Sequence, residues 1–453
     1  MTTIIAIALI AVRNAVRSRV VVLLLGMLLL TIIGIPLTVK SDGTVGGYVE
    51  ILVQYTLGGA ELLLALATIW AGVAAISLEI QKKQIQLLVT KPVYRRQLWL
   101  GKWLGLLAIN TLALAVCGGV TYGLLRWNTR PGRLSAPDRR TLNTEILVAR
   151  QVISPEPFAV EAQARQILEE RQAQGALPTN VPMAIVYKAI RDGLLLEAHA
   201  VPPGNQLTWT FAPPAAGWPE HAFQLRYKIS SSWLAPSAIA GRWSVGRATG
   251  GHRYEVTQTN TTLGVFTLNV PATALAGAGP LIVEYANVHR QPVTVLFNPQ
   301  NGLRLLLYAG PWEANLARAL LLIALRLAFL AALSVTAGSL FSMPVAAFVA
   351  LFSWFMINAG ASLRALSEYG NAPILASGPA GPGAVLRFFY QAVQWLIQPL
   401  QTENALALVA TGQYVAWSLV AQVLVVQVVL CGGLLLLVGA GALRRRELAL
   451  PMN

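Results

Sequence analysis

The chain has 453 residues, 55% of them apolar and only 12% Asp, Glu, Lys or Arg, about half the charged share of an ordinary soluble domain. With a mean hydropathy of +0.58, a purely cytosolic enzyme is excluded. The net charge of +15 comes from 34 basic and 19 acidic residues. No long basic run with interleaved aromatics occurs, so nucleic acid is not the expected partner. The basic residues gather beside apolar stretches, as they do in membrane proteins. Cys117 and Cys431 both lie in apolar runs and no CxxC exists, which leaves neither a disulfide framework nor a cysteine zinc site. No GxxxxGK[ST] is present, because Gly101-Lys102 lacks the upstream glycine and the following Ser or Thr; the chain carries no P-loop of its own.

In chain order, the apolar start Ile4–Val12 is followed, not preceded, by Arg13, Arg17 and Arg19. That order is not a secretory signal and holds the N-terminus in the cytoplasm. On a helix, Arg13, Asn14 and Arg17 share one face, apart from Ile5, Leu9, Val12 and Val16; residues 1–18 therefore read as a helix lying in the interface. A first span runs from Val20 to about Val39, and a second from about Val53 to Ser77 with Glu61 near its outer end. The segment 79–97 then carries five basic residues against one acid, a cytoplasmic signal. The third span, about Leu100 to Leu125, has Trp99 and Trp103 at its inner interface and Trp127 at its outer one.

From Asn128 to about residue 310 the chain is rich in proline and acids and holds all four histidines. Pro157–Gly175 has an amphipathic helix pattern. Beyond it come short period-2 runs, Gln206–Phe211, Phe223–Ile229, Arg242–Val245, Tyr254–Gln258, Val265–Val270, Leu281–Tyr285 and Val293–Phe297. They predict an antiparallel β-sandwich, placed outside because the third span runs outward. A fourth span (about Asn315 to Leu340), the break Ser342-Met343-Pro344, a fifth (about Val345 to Ala361) and a sixth (about Val409 to Val438) follow. An outer interfacial helix over 384–400 comes before the sixth, and Arg444-Arg445-Arg446 hold the C-terminus inside. The fold class expected is a polytopic α-helical membrane protein with six transmembrane helices. It carries an inserted extracytoplasmic α+β domain, mainly antiparallel β-sandwich. The parts are 1–18, 19–127 with the loop 79–97, 128–310, and 311–453.

The segment "LEIQKKQIQLLVTKPVYRRQLWLGKWLG", the turn "SLFSMPVA" and the closing "RRREL", in this order of spans, resemble an ABC-2 type transporter permease, over residues 1–126 and 311–453. The resemblance implies a subunit without enzymatic activity, two copies or homologues of it side by side, and a separate ABC-type ATPase that binds the ATP and Mg. It further implies that 79–97 holds the coupling helix seated on that ATPase: Glu79, Gln81, Lys82, Lys83, Gln86, Leu87, Leu88, Lys91, Pro92, Arg95 and Arg96. Ser342 and Pro344 form a second contact or a plain hairpin turn. The physical reading agrees, since Ile80, Leu87 and Leu88 can anchor a short helix while the basic residues pair around it, and Pro92 suits the first turn of the next helix. A generic loop binding anionic membrane lipids is the competing reading. The family implies a bacterial cytoplasmic (inner) membrane, with both termini cytoplasmic.

An ionisable residue within a span is a functional hypothesis by default. Counting from the inner ends puts Glu61 and Arg326 at similar depth below the outer surface and Arg318 at that surface. Glu61 and Arg326 can pair, and with Arg318 they are candidates for a translocation path or its outer gate; snorkelling of each to the headgroups is the competing reading. The scattered histidines have no ligand spacing and no metal is expected. Trp209, Trp218, Trp233 and Trp243 suit a sandwich core better than a sugar-stacking face. The function expected is a permease coupling ATP hydrolysis on a partner to export or mechanical work, with 128–310 meeting a substrate, protein or glycan outside. The alternative is a membrane-anchored extracytoplasmic binding or sensing module. A secondary transporter is weaker, for want of an internal repeat.

Overall fold

A computed structural model gives the structure of residues 2–38, 45–82, 93–130, 134–177, 181, 183–214, 218, 222–232, 238–262, 264–299, 302–369, 392, 394–395 and 397–445. The longer helices are α1 (Thr2–Arg17), α2 (Arg19–Thr38), α3 (Val45–Gln81), α4 (Arg95–Asn128), α5 (Glu161–Ala173), α6 (Met183–Ala198), α7 (Trp312–Leu340), α8 (Met343–Tyr369) and α9 (Trp417–Arg445). Among the described residues, α2, α3, α4, α7, α8 and α9 are long and apolar enough to cross a membrane. The chain is a multi-pass membrane protein with an inserted β-rich region. Its compact units are residues 1–149 with 310–453, and residues 150–309.

In the helical unit α7 is the central element, with Leu322, Ile323, Ala331 and Val335 wholly buried. Its small residues let α3 come close: a Cβ on Gly72 would stand 2.6 Å from that of Ser334, and one on Gly338 would stand 2.8 Å from the Val73 carbonyl oxygen. Ser77 Oγ donates to the Gly338 carbonyl at 3.0 Å. Such contacts hold helices together where lipid removes the hydrophobic drive. Helix α1 packs on α4 through Ile7, Ala11 and Ala15, all buried, while Ile5, Leu9 and Val16 stay exposed. The apolar face expected to enter the interface is thus free of protein, and a separate small-residue stripe makes the contact.

Two boundaries differ from expectation. Helix α3 starts at Val45, earlier than the expected Val53, and includes a π-helical stretch Ile51–Thr56. The last span starts at Trp417 instead of Val409. Val409 belongs to a short buried helix, Ala405–Ala410, capped by the Asn404 side chain on the Leu406 and Ala407 N–H groups (3.0 and 3.3 Å). Gly412 at φ +71° turns the chain back before α9. The interfacial helix expected over 384–400 lies largely outside the described residues; at its end Gln398–Leu400 forms a 3-10 turn.

Among the described residues the inserted unit has ten strands: β1 (Val148–Ile153), β2 (Ala200–Val201), β3 (Gln206–Phe211), β4 (Phe223–Ser231), β5 (Ala238–Thr249), β6 (Tyr254–Thr261), β7 (Val265–Val270), β8 (Ala278–Asn287), β9 (Val295–Phe297) and β10 (Leu303–Pro311). One sheet runs β1-β10-β4-β9-β2 with β7 also on β4; the other runs β3-β8-β5-β6. Residues of both sheets share one apolar cluster. Trp243 lies opposite Tyr285 across the β5–β8 ladder, and its ring stands 4.5 Å from Tyr227 and 4.8 Å from Tyr285 between centroids. Trp209 and Trp243 are buried core residues and Trp218 packs at the edge of the cluster; Trp233 lies outside the described residues.

Candidate functional site

Two interhelical ion pairs of the helical unit hold buried or half-buried charges, an outer group midway along α7 and an inner group at the Gln81 end of α3. In the outer group Glu61 of α3 and Arg326 of α7 stand 3.7 Å apart, each with about a fifth to a quarter of its side chain exposed. Arg326 does more than pair. Its Nη2 donates to the Thr402 hydroxyl and to the Glu403 carbonyl oxygen at 2.7 Å. One guanidinium therefore ties α3, α7 and the segment leading into the Ala405–Ala410 helix. The pair opens on a cavity of about 490 Å³ lined also by Trp354, Gln401 and Gln427. Gln427 lies in a π-helical stretch of α9, Leu424–Cys431, is buried, and donates to the Leu400 carbonyl at 2.8 Å. A π-helical stretch with a buried amide beside an ion pair gives this cavity a partly polar lining.

Arg318 stands apart from this cavity. It is buried, with Nη1 3.3 Å from the Val415 carbonyl oxygen and 3.4 Å from Asn315 Oδ1. Its guanidinium lies over the Tyr414 ring at 4.4 Å. Asn315 in turn donates to the Gln413 carbonyl at 2.7 Å and accepts from the Val415 N–H at 2.8 Å. Arg318 thus clasps the turn between the short helix and α9, a positioning role.

At the inner end, Glu79 is buried in the last turns of α3 and pairs with Lys102 of α4, itself 1% exposed. Gln81 and Lys82 are exposed where α3 stops. Lys83, Gln86, Leu87, Leu88, Lys91 and Pro92 lie outside the described residues. Helix α4 opens at Tyr94, whose N–H donates to Gln97 Oε1 at 3.2 Å. Arg95 is half-buried and Arg96 exposed in its first turn. Two cations at a helix N-terminus oppose the helix dipole, at a cost of about 0.3–1 kcal/mol each. Trp99 and Trp103 turn inward from this end and donate to Thr336 Oγ1 (3.1 Å) and the Ala328 carbonyl (2.8 Å) of α7. At the α7–α8 hairpin the Ser342 carbonyl accepts from the Ala346 N–H at 2.9 Å, and Ser342 and Pro344 are exposed.

Residues 5–129 match the model of a family described as ABC-2 family transporter protein. No curated protein matches the chain. The family match ends where α4 ends, and 311–453 lies beyond it. The match and the six apolar helices are consistent with a membrane permease of the ABC-2 type. Among the described residues no group of three His, Cys, Asp or Glu side chains could hold a metal.

Sequence reasoning missed Lys102, which entered only as evidence against a P-loop. The signal was available, because Lys102 is a cation next to apolar residues inside a span and needs a partner. It also missed Asn110, buried in α4, whose Oδ1 accepts from Thr68 Oγ1 of α3 at 3.1 Å.

Proposed function

We propose that this chain is the membrane-spanning permease subunit of an ABC-2 type ABC transporter. ATP hydrolysis takes place on a separate ABC-type ATPase and is coupled to export or mechanical work. The observation that carries the reading is the family match over α1–α4, which includes the segment 79–97 between two helix ends fastened to each other. Glu79 and Lys102 join those ends, so a push on the segment is delivered to α3 and α4 together. The exposed cations Lys82 and Arg96 suit an acidic groove on the ATPase, and Ser342 with Pro344 offers a second, smaller contact. Motion of α3 relative to α7 would act on the Glu61–Arg326 pair and on the cavity beside it, which we assign to the outer gate. In this reading the protein sits in a bacterial cytoplasmic membrane with both termini inside. It pairs with a second permease, a copy or a homologue, and residues 128–310 stand outside as a β-sandwich that meets substrate or a partner.

The test is purification from the native host in mild detergent, with stoichiometric partners identified and ATP turnover assayed. A P-loop ATPase should co-purify and be released when Lys82, Lys83, Arg95 and Arg96 are changed to Glu. If partners attach only through 128–310 and no ATPase is found, the permease assignment fails and an anchored extracytoplasmic receptor replaces it.

A further inference from the structure

The carboxylate of Glu61 is less well served than its partner. Arg326 Nη1 stands 3.7 Å from Glu61 Oε1, close enough for attraction and too far for a hydrogen bond. Arg326 gives its Nη2 protons to the Thr402 hydroxyl and the Glu403 carbonyl oxygen instead. Among the described residues no donor stands within hydrogen-bond reach of Glu61. Its oxygens are not enclosed. About a quarter of the side chain is exposed, and Glu61 lines the cavity of about 490 Å³. A carboxylate at membrane depth with open acceptor positions is a binding group that the protein has not used up.

The rest of the lining narrows the chemistry. It holds two carboxylates, Glu61 and Glu403, against one guanidinium, Arg326, so the balance of charge favours a cation over an anion. Asn358, exposed on α8, spends an N–H on the Trp354 carbonyl at 2.8 Å and keeps its amide oxygen as a further acceptor. Leu62 of α3 and Trp354 and Ile357 of α8 supply apolar surface beside these acceptors, and the face of an indole attracts cations. The volume lies within the range of sites for small organic ligands.

We propose that this cavity binds an amphiphile whose polar end is a protonated amine. The ammonium donates to Glu61, and the apolar body lies along Leu62, Trp354 and Ile357. This rests on the assignment of the cavity to the outer gate, and it gives that gate a substrate class. An ammonium on Glu61 competes with Arg326 for the carboxylate. Occupancy therefore loosens the tie between α3 and α7, while Arg326 keeps its contacts to Thr402 and Glu403.

The experiment is equilibrium dialysis of the full chain in phosphatidylcholine nanodiscs at neutral pH. The probes are phenylbutylamine, phenylbutanol and phenylbutyrate, which share one apolar body, and discs without protein give the blank for partition into lipid. The amine should bind at least about tenfold more tightly than the alcohol, as expected for a hydrogen bond between charged groups. The carboxylate should bind more weakly than either. Glu61→Gln should remove the amine's advantage and leave the alcohol within about twofold of its original affinity. Trp354→Leu should weaken amine and alcohol binding together. A thermal midpoint identifies any variant that fails to fold, and Glu61→Asp, which keeps the charge, should keep the amine ahead of the carboxylate. Equal affinity for amine and alcohol, tighter binding of the carboxylate, an amine preference that survives Glu61→Gln, or amine binding untouched by Trp354→Leu overturns the proposal. Dialysis needs no ATPase. If the selectivity holds and no ATPase co-purifies, the permease reading fails and the amine site remains; if an ATPase co-purifies and the selectivity is absent, the amine site alone fails.

Discussion

Arg318 and Arg326 are two turns apart on one helix, yet they face different neighbours. Arg318 satisfies one backbone carbonyl, the Asn315 side chain and two rings at a tight turn, whereas Arg326 meets a carboxylate of α3 and a hydroxyl and a carbonyl of residues 402–403. Removing Arg326 therefore costs more than removing its partner. Arg326→Ala should destabilise the detergent-solubilised chain by about 2–4 kcal/mol, because it leaves Glu61 unpaired and frees the 401–404 segment. Glu61→Gln keeps a hydrogen-bonding side chain and should cost about 1 kcal/mol; equal losses in thermal unfolding would mean that the Thr402 and Glu403 contacts carry no weight. In the inserted unit, burial pushes the Tyr227 phenol up to about 12, and burial pushes Tyr285 up as well. Unfolded tyrosine titrates near pH 10, so between about pH 10 and 12 the folded state holds more protons than the unfolded one. Stability from these groups is complete below pH 10 and is lost as pH rises through 12. Unfolding should set in over that window when followed by tyrosinate absorbance and circular dichroism, and Tyr227→Phe should reduce the slope.

The helices meet through glycine where the backbones come closest. Gly101 and Gly105 of α4 lie one turn apart, and a Cβ at Gly105 would stand 2.7 Å from the Ala8 carbonyl oxygen and 2.8 Å from the Ala11 Cβ. Gly105→Leu should push α1 off α4 and cost about 1–3 kcal/mol. Gly119→Leu, on the same helix with nothing within 4 Å of its Cβ position, is the matched control. Limited proteolysis of α1 distinguishes the two; equal protection would show that α1 is held by lipid alone. The two glycines are visible in the sequence, but the α1 contact that needs them is not, since cross-helix packing leaves no local period. The same reason hides the Glu79–Lys102 pair. Length and hydropathy make the spans legible, and β3 and β7 fall on their alternating runs. Strand β6 runs on to Thr261, past the expected Gln258, because its inward positions there are Gln258 and Asn260. These polar residues meet the Tyr227 hydroxyl at 2.6 and 2.8 Å and give no apolar alternation to read. Strand β10 has consecutive apolar residues instead of alternation, and the turn-back at Thr411–Ala416 follows an apolar helix that reads as span.

At the scale of the molecule, a β-rich unit interrupts a helical one, and its first and last strands, β1 and β10, are neighbours in one sheet. Neighbouring strands lie about 4.8 Å apart, so the two strands that carry the chain into and out of the inserted unit run side by side. A flexible linker can therefore replace residues 150–309 without stretching either flank. The helical unit keeps its own apolar core around Leu322, Ile323 and Val409, and the inserted unit keeps one around Trp209, Trp243 and Phe297; neither core is opened by the cut. The shortened chain should insert in membranes, unfold cooperatively in detergent, and retain any ATPase that binds the full-length protein. Isolated residues 150–309 should give a β-rich circular dichroism spectrum and a cooperative melt. If the shortened chain aggregates while the isolated piece folds, the helical unit depends on the insert, and the push assigned to 79–97 cannot be separated from whatever 150–309 contacts. If both halves fold and the ATPase stays, stimulation of ATP turnover by substrate becomes the quantity to compare. Its loss in the shortened chain would locate recognition in the inserted unit, and its persistence would locate it at the Glu61–Arg326 cavity.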